Sequence, residues 1–154
     1  MTDDMISTLG ENGGVVLINF YKAFLDSTAA NRNTENMKRA RALMAEKKLP
    51  YSDSLVRLFV DQLERKNPLP AVDIAVVADH IDHVVKLIGI DHVGLGSDFD
   101  GVDGSLPVGL SDVSMYPNLI YLLLKRGYTE QDIEKINGGN FSRVWQKAQD
   151  AARH

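Results

Sequence analysis

The 154-residue sequence contains no cysteine, so disulfide bonds and thiolate metal sites are excluded. A chain without cysteine suits a reducing compartment, and we expect a cytoplasmic location. No apolar run approaches the roughly 20 residues that span a bilayer. The first ten residues also lack the basic and apolar segments of a signal peptide. Neither membrane interaction nor secretion is therefore expected.

The chain also lacks an excess of basic residues. It has 17 Lys and Arg against 21 Asp and Glu, and its formal net charge is −4. The clustered bases Lys38, Arg39 and Arg41 are matched by Glu35 and Glu46, which is typical of a solvated helix face. Nucleic-acid binding is not expected. The hydrophobic content of 44% is that of a globular protein, and we treat residues 1–154 as one domain.

Two apolar segments predict buried parallel strands in an α/β fold. Residues 15–20 form a continuous apolar run, which indicates a strand covered on both faces, and residues 92–96 form the second strand. Asp73 is predicted to cap the long amphipathic helix that ends at Gly89, between these strands. Helices are also predicted at residues 34–48 and 52–66, and residues 26–34 are expected to form a loop.

Three signals mark the C-terminal third. Pro117 is expected in the first turn of a helix, and Thr129 with Asp132 resembles a capping box. Asn140 is predicted to cap the last helix, whose Phe141 and Trp145 are expected to fill the core or its rim.

The segment VGLGSDFDG at residues 93–101 concentrates more candidate chemistry than any other part of the chain. Its apolar half predicts a strand, which places Ser97, Asp98 and Asp100 at the carboxyl end. Working groups of barrel and doubly wound enzymes lie at such ends. Because similar sequences also form plain turns, the motif alone favours the two interpretations, a functional site and a structural turn, about equally.

Two strands that are buried on both faces cannot form a stable parallel sheet alone. Each would leave unpaired backbone groups and uncovered apolar surface. A complete eight-stranded barrel needs about 250 residues. We therefore expect an incomplete barrel, the C-terminal portion of a (β/α)₈ TIM barrel with two parallel strands and several helices.

Five ordered blocks resemble the C-terminal part of the renal (membrane) dipeptidase family. The resemblance covers nearly the whole chain and implies a (β/α)₈ metallopeptidase that hydrolyses dipeptides with two zinc ions. It also implies that a zinc-activated water attacks the peptide carbonyl. The blocks are residues 12–21 (NGGVVLINFY), 78–84 (ADHIDHV), 89–102 (GIDHVGLGSDFDGV), 110–117 (LSDVSMYP) and 138–141 (GGNF).

The resemblance implies roles for five residues. Asp98 matches the family's aspartate beside the metals, where it would contact substrate, orient the water and accept its proton. Asn19, Ser97 and Asp100 are interpreted as supporting residues around that site. Phe24 stands where some relatives carry a substrate-side tyrosine, and the change removes a hydroxyl from the substrate contact.

The metal ligands implied by the resemblance do not occur in this sequence. The family uses a His-x-Asp pair, a bridging Glu and two His from earlier strands, and its substrate-binding arginine also lies earlier. His80 and His83 have a spacing that can hold zinc, but with His92 they are interpreted as structural, and His154 as a disordered terminus. We expect no metal ligand in this chain, and we expect the isolated chain to show little or no turnover of dipeptides.

Three functions remain open. The first is a zinc-dependent dipeptidase acting on dipeptides. The second is a non-catalytic barrel fragment that self-associates or pairs with a complementary N-terminal part. The third is a phosphate-binding barrel, with phosphate held at the glycines and helix start of residues 138–140. The acidic strand end disfavours the third.

Overall fold

The computed structural model describes residues 1–102 and 105–153. Within them, the chain forms eight α-helices and a two-stranded parallel sheet. No helix in this described part is long and apolar enough to cross a membrane. The elements are α1 (Asp3–Glu11), β1 (Val16–Asn19), α2 (Lys22–Leu25), α3 (Ser27–Glu46), α4 (Asp53–Lys66), α5 (Ile74–Ile88), β2 (Val93–Ser97), α6 (Tyr116–Lys125), α7 (Glu130–Glu134) and α8 (Asn140–Ala151).

The sheet confirms the two predicted parallel strands. Val16 pairs with Val93 at the start, and an irregularity after Ile18 brings Asn19 opposite Ser97 at the end. Parallel pairing puts the carboxyl ends of both strands at one edge of the sheet. A bulge at such an edge re-aims the side chains that follow it.

One face of the sheet is packed and the other is open, which corrects the expectation that the strands are covered on both faces. Ile18 and Val93 are buried against the main core, whereas Leu17, on the opposite face, is 40% exposed. The apolar run at residues 15–20 therefore includes a residue on a face that the described residues leave exposed. Its composition alone could not show which covering elements are present.

Helix α5 connects the strands as predicted. The Asp73 side chain accepts a hydrogen bond from the Ala75 backbone N–H at 2.8 Å and caps the helix. Val77, Ala78 and Ile81 are fully buried against the main core. This apolar stripe holds the packed face of the sheet in place.

Helices α3 and α4 form a pair with its own small core. The loop predicted at residues 26–34 is wrong, because α3 begins at Ser27 and the Asp26 side chain caps it at the Ala29 N–H. Polar residues in this stretch favour loops by local preference, but buried Ala29 anchors the first turns. The separate core consists of Ala40, Met44, Val56 and Val60, with partly buried neighbours.

The C-terminal signals are confirmed in part. Pro117 lies in the first turn of α6, and Thr129 and Asp132 form a reciprocal capping box on α7. The cap predicted at Asn140 is wrong. Asn140 is instead the first residue of α8, and its buried side chain donates to the Ile90 and Val93 carbonyls at 2.7 and 2.8 Å, which ties α8 to the start of β2.

Two large aromatic residues of α8 lie on the surface. Phe141 and Trp145 stack on each other with ring centroids 5.9 Å apart, and they are 46% and 57% exposed. They therefore do not fill the core, and of the two expected places only its rim is compatible with this exposure. Phe141 and Leu17 line the same cavity on the open face of the sheet, so the apolar surface continues from the strand to the helix.

Candidate active site at the strand ends

The end of β2 adopts an unusual backbone conformation. Ser97 and Asp98 both have positive φ angles, +56° and +70°, although neither is glycine. Such residues are strained by roughly 1–3 kcal/mol each and persist only where the surrounding structure holds them. Two in succession mark this turn as one whose shape is imposed by tertiary contacts.

Asn19 and Asp98 meet across the two strand ends. The Asn19 Nδ2 donates to Asp98 Oδ2 at 2.7 Å, while the Asn19 Oδ1 accepts from the Tyr21 N–H at 2.8 Å. The backbone N–H can only donate, so it determines which way the amide points. The other carboxylate oxygen of Asp98 accepts no hydrogen bond within the described residues, and the side chain is exposed. That oxygen is available for a hydrogen bond from a group outside the described residues.

Three aromatic rings support this pair from the packed side. Phe20, which follows Asn19, is fully buried, and its ring centroid lies 5.8 Å from that of Phe99 and 6.2 Å from that of Tyr116. The Tyr116 hydroxyl is hydrogen-bonded to the Ser97 hydroxyl. The residues next to both Asn19 and Asp98 are thus packed together.

The other two predicted site residues lie further from this pair. Asp100 is exposed in the turn that follows, and no hydrogen bond links it to Asn19 or Asp98 in the described part of the chain. Phe24 is 68% exposed and packs edge-on against Tyr21, with centroids 5.2 Å apart. Phe24 and Asn19 line one groove of about 390 Å³ along β1. The role of Phe24 in substrate contact stays a prediction.

A cavity of about 310 Å³ lies between the helix pair α3–α4 and the segments that follow the strands. Two contacts join these parts: the Tyr21 hydroxyl donates to Asn33 Oδ1 at 3.2 Å, and the Arg57 guanidinium donates to the Gly101 carbonyl. Gly101 has φ +74°, and a Cβ there would lie 3.1 Å from Arg57. The positive φ favours glycine here, and a Cβ would also require the end of the Arg57 side chain to shift slightly.

The electrostatics of this cavity act on Tyr21. Partial burial is the main cause that raises the pKa of the Tyr21 hydroxyl, and the nearby Glu64 carboxylate raises it further. The hydroxyl therefore stays protonated at neutral pH and serves as a hydrogen-bond donor, as its contact with Asn33 requires.

Comparison with known proteins identifies the family. The profile of the membrane dipeptidases, peptidase family M19, matches residues 1–154. The chain belongs to this family.

Curated relatives of this M19 chain are dipeptidases. It is 36% identical over 148 residues to a dipeptidase of Schizosaccharomyces pombe that is itself described as uncharacterized, covering 96% of this chain and 26% of the relative. It is 35% identical over 151 residues to the dipeptidase aclJ of Aspergillus oryzae, covering 98% and 26%. The chain thus spans about a quarter of the length of these relatives.

Solved structures share its fold. The probable dipeptidase PvdM from Pseudomonas aeruginosa matches with a TM-score of 0.72 and 28% identity over 97% of this chain and 41% of that one. A metallopeptidase from Rhodobacter sphaeroides, liganded with a phosphinate mimic of the dipeptide L-Ala-D-Ala, matches with a TM-score of 0.60 and 25% identity, covering 92% and 29%. The arrangement of strands and helices described above is therefore that of part of such enzymes.

The histidines of this M19 chain are engaged elsewhere. Nε2 of His80 is 2.9 Å from the Leu25 carbonyl, and Nε2 of His83 is 2.9 Å from an Asp3 oxygen. Nδ1 of His92 is 2.8 Å from the Gly14 carbonyl. His154 lies outside the described residues. Across residues 1–102 and 105–153, no three His, Asp or Glu side chains are grouped to hold a metal ion. These residues alone do not fit a two-zinc centre.

The structure adds site residues that sequence reasoning missed. Tyr116 stands in the matched block at residues 110–117, so the resemblance held a signal for it. Arg57 and Asn33 lie in the α3–α4 segment, outside every matched block, and carried no such signal. Of the predicted residues, the structure brings together Asn19, Ser97 and Asp98.

Proposed function

We propose that this chain carries the Asp98 side of a metal-dependent dipeptidase site. The observation that supports this most is the strained end of β2, where Asp98 is held by Asn19 with one carboxylate oxygen left available. Strain of this kind is concentrated at functional sites. Family membership supplies the reaction class, hydrolysis of a dipeptide.

Asp98 is the proton acceptor in this proposal. A general base must reach the proton of the attacking water within about 2.6–3.2 Å. The exposed Oδ1 of Asp98 offers that reach at the edge of the sheet where strand-end residues converge. Asn19 holds Oδ2 at 2.7 Å and so restricts rotation of the carboxylate. Ser97 and Asp100 flank this group and shape the turn.

The substrate is a dipeptide, and two adjacent spaces suit it. The phosphinate dipeptide mimic in the Rhodobacter sphaeroides structure supports this substrate class. The groove beside Asn19 and Phe24 measures about 390 Å³, and the cavity beside Tyr21 and Gly101 about 310 Å³. Both volumes are in the range of small-molecule sites.

The remaining parts of the site come from outside these 154 residues in our proposal. Within the described residues the sheet has two strands, and its open face and outer edges suit the further strands of a (β/α)₈ barrel. The family's zinc ions would be held by residues of those strands, since the described residues do not group to hold a metal. The chain by itself is then inactive.

A chimera tests this proposal. Residues 1–154 replace the aligned part of the Rhodobacter sphaeroides metallopeptidase, and hydrolysis of L-Ala-D-Ala is assayed with zinc. Activity is expected, and Asp98→Asn lowers kcat about a hundredfold or more, as loss of a general base does. Asp4→Asn is the matched control, because Asp4 is an exposed aspartate of α1 with no place in the site, and it keeps kcat close to the parent value. A folded, zinc-loaded chimera without activity, or one that Asp98→Asn leaves fully active, contradicts the proposal.

A non-catalytic role is the second candidate, and the exposed apolar surface favours it. Leu17 and Phe141 line one cavity, Trp145 packs on Phe141, and all three are exposed beside a sheet that has two strands within the described residues. Such a face suits self-association or pairing with a complementary chain. Light scattering on the purified chain distinguishes this role, because a stable monomer at high concentration contradicts self-association. No observation favours the phosphate-binding alternative.

A further inference from the structure

We propose that Tyr116 is a positioning residue that holds the strained strand end and thereby presents Asp98 to Asn19. The consequence for catalysis rests on the proposed function, whereas the positioning itself does not. Tyr116 is the first residue of α6 and was not among the predicted site residues.

Tyr116 contacts the residues that precede and follow Asp98 in the sequence. Its hydroxyl is hydrogen-bonded to the hydroxyl of Ser97, the residue before Asp98. Its ring lies 6.0 Å, centroid to centroid, from that of Phe99, the residue after Asp98. A single side chain thus contacts both neighbours of the candidate base.

Tyr116 also reaches the partner of Asp98. Its ring lies edge-on to Phe20 at 6.2 Å, and Phe20 follows Asn19 and is fully buried. The Phe20 N–H donates to the Ser97 carbonyl at 2.8 Å, which joins the two strand ends. Tyr116 therefore packs against the residues that determine where both members of the Asn19–Asp98 pair lie.

The backbone strain at Ser97 and Asp98 explains why a positioning residue is needed. Ser97 and Asp98 are β-carbon-bearing residues in the left-handed region, and an isolated turn of this sequence would leave that region. The bond from Tyr116 engages the Ser97 side chain directly. Removing the hydroxyl while keeping the ring separates this effect from simple packing.

The first test is Tyr116→Phe in the 154-residue chain, followed by NMR. Couplings that report φ at Ser97 and Asp98 should move away from positive φ. Exchange of the Asn19 side-chain amide protons should become about fivefold faster, the change expected from loss of one neutral hydrogen bond. Tyr121→Phe is the matched control, because Tyr121 lies on the same helix, is 62% exposed and faces Lys125. Equal effects of the two variants, or no change in Tyr116→Phe, overturn the proposal.

A rescue variant tests the role of strain. Glycine adopts positive φ without a steric penalty, so Ser97→Gly in the Tyr116→Phe background should restore the Asp98 couplings and slow the amide exchange again. Absence of rescue shows that Tyr116 does not act through the backbone of Ser97 and overturns the mechanism.

The catalytic consequence is measured in the active chimera. Tyr116→Phe should lower kcat with little change in KM, because a misplaced base affects the transition state more than substrate binding. A higher KM with an unchanged kcat contradicts a positioning role. If the chimera is inactive while the NMR results hold, the proposed function fails and the positioning role stands.

Discussion

The two faces of the sheet differ in how completely this chain covers them. The packed face holds Ile18, Val93 and the fully buried Phe20 under helices α5 and α6. The open face carries Leu17 and continues to Phe141 and Trp145, all substantially exposed. The candidate base, Asp98, is therefore supported from the packed side only, by contacts with other residues of this chain.

The largest effect is expected on the packed face. Phe20→Ala removes a fully buried ring and should lower the free energy of unfolding by about 3–5 kcal/mol, measured by urea denaturation. Phe24→Ala removes the same atoms from a ring that is 68% exposed and should change stability by less than about 0.5 kcal/mol. Similar losses in both variants would mean that burial of the ring does not determine its contribution to stability.

The next effect concerns the attachment of α8 to the sheet. Asn140→Ala leaves the Ile90 and Val93 carbonyls without their donor and should lower the free energy of unfolding by about 1–3 kcal/mol. Exposed Asn137 provides the control, since Asn137→Ala breaks no hydrogen bond among the described residues. A neutral Asn140→Ala would show that α8 is held by other contacts.

The open face should control association rather than stability. Leu17→Asp places a charge on exposed apolar surface and should weaken self-association about tenfold, equivalent to about 1.4 kcal/mol. Sedimentation equilibrium measures this change, and the midpoint of urea unfolding should stay nearly constant. Unaltered association in Leu17→Asp would exclude this face from the interface.

The smallest effect is a pH dependence at the edge of the packed region. The Lys135 ammonium, 2.7 Å from Asp91, is the main cause that lowers the pKa of that carboxyl below its ordinary value of 3.8. The folded pKa is depressed, so this stabilisation is present above pH 4 and disappears as pH falls through the folded pKa. Both groups are largely exposed, which limits the effect to less than about 1 kcal/mol. Lys135→Gln should remove it from acid-unfolding curves.

Local patterns predicted much of the fold. The apolar runs, the Asp73 cap, the Pro117 turn and the Thr129 capping box act over a few residues, and each is present as expected. The errors at residues 26–34 and at Asn140 have one cause. Arg32 donates to Asn67 Oδ1, and Asn140 donates to the Ile90 carbonyl, so both side chains have partners far along the chain, which local preference does not contain.

The candidate site, like the fold, was only partly predictable from the sequence. The motif at residues 93–101 and the family resemblance pointed to Asp98 and its neighbours, and the resemblance to the membrane dipeptidases is confirmed. The Asn19–Asp98 contact joins residues 79 positions apart, and the role of Tyr116 depends on a helix that returns to the strand end.

By itself, the sequence determined the family, the two parallel strands and the position of an aspartate at the end of the second strand, because each depends on residue order or short-range periodicity. Only the tertiary structure decided that Ser97 and Asp98 take left-handed backbone angles and that one face of the sheet stays open. Both depend on packing between segments far apart in the chain, where strain at one turn is offset by contacts from another helix.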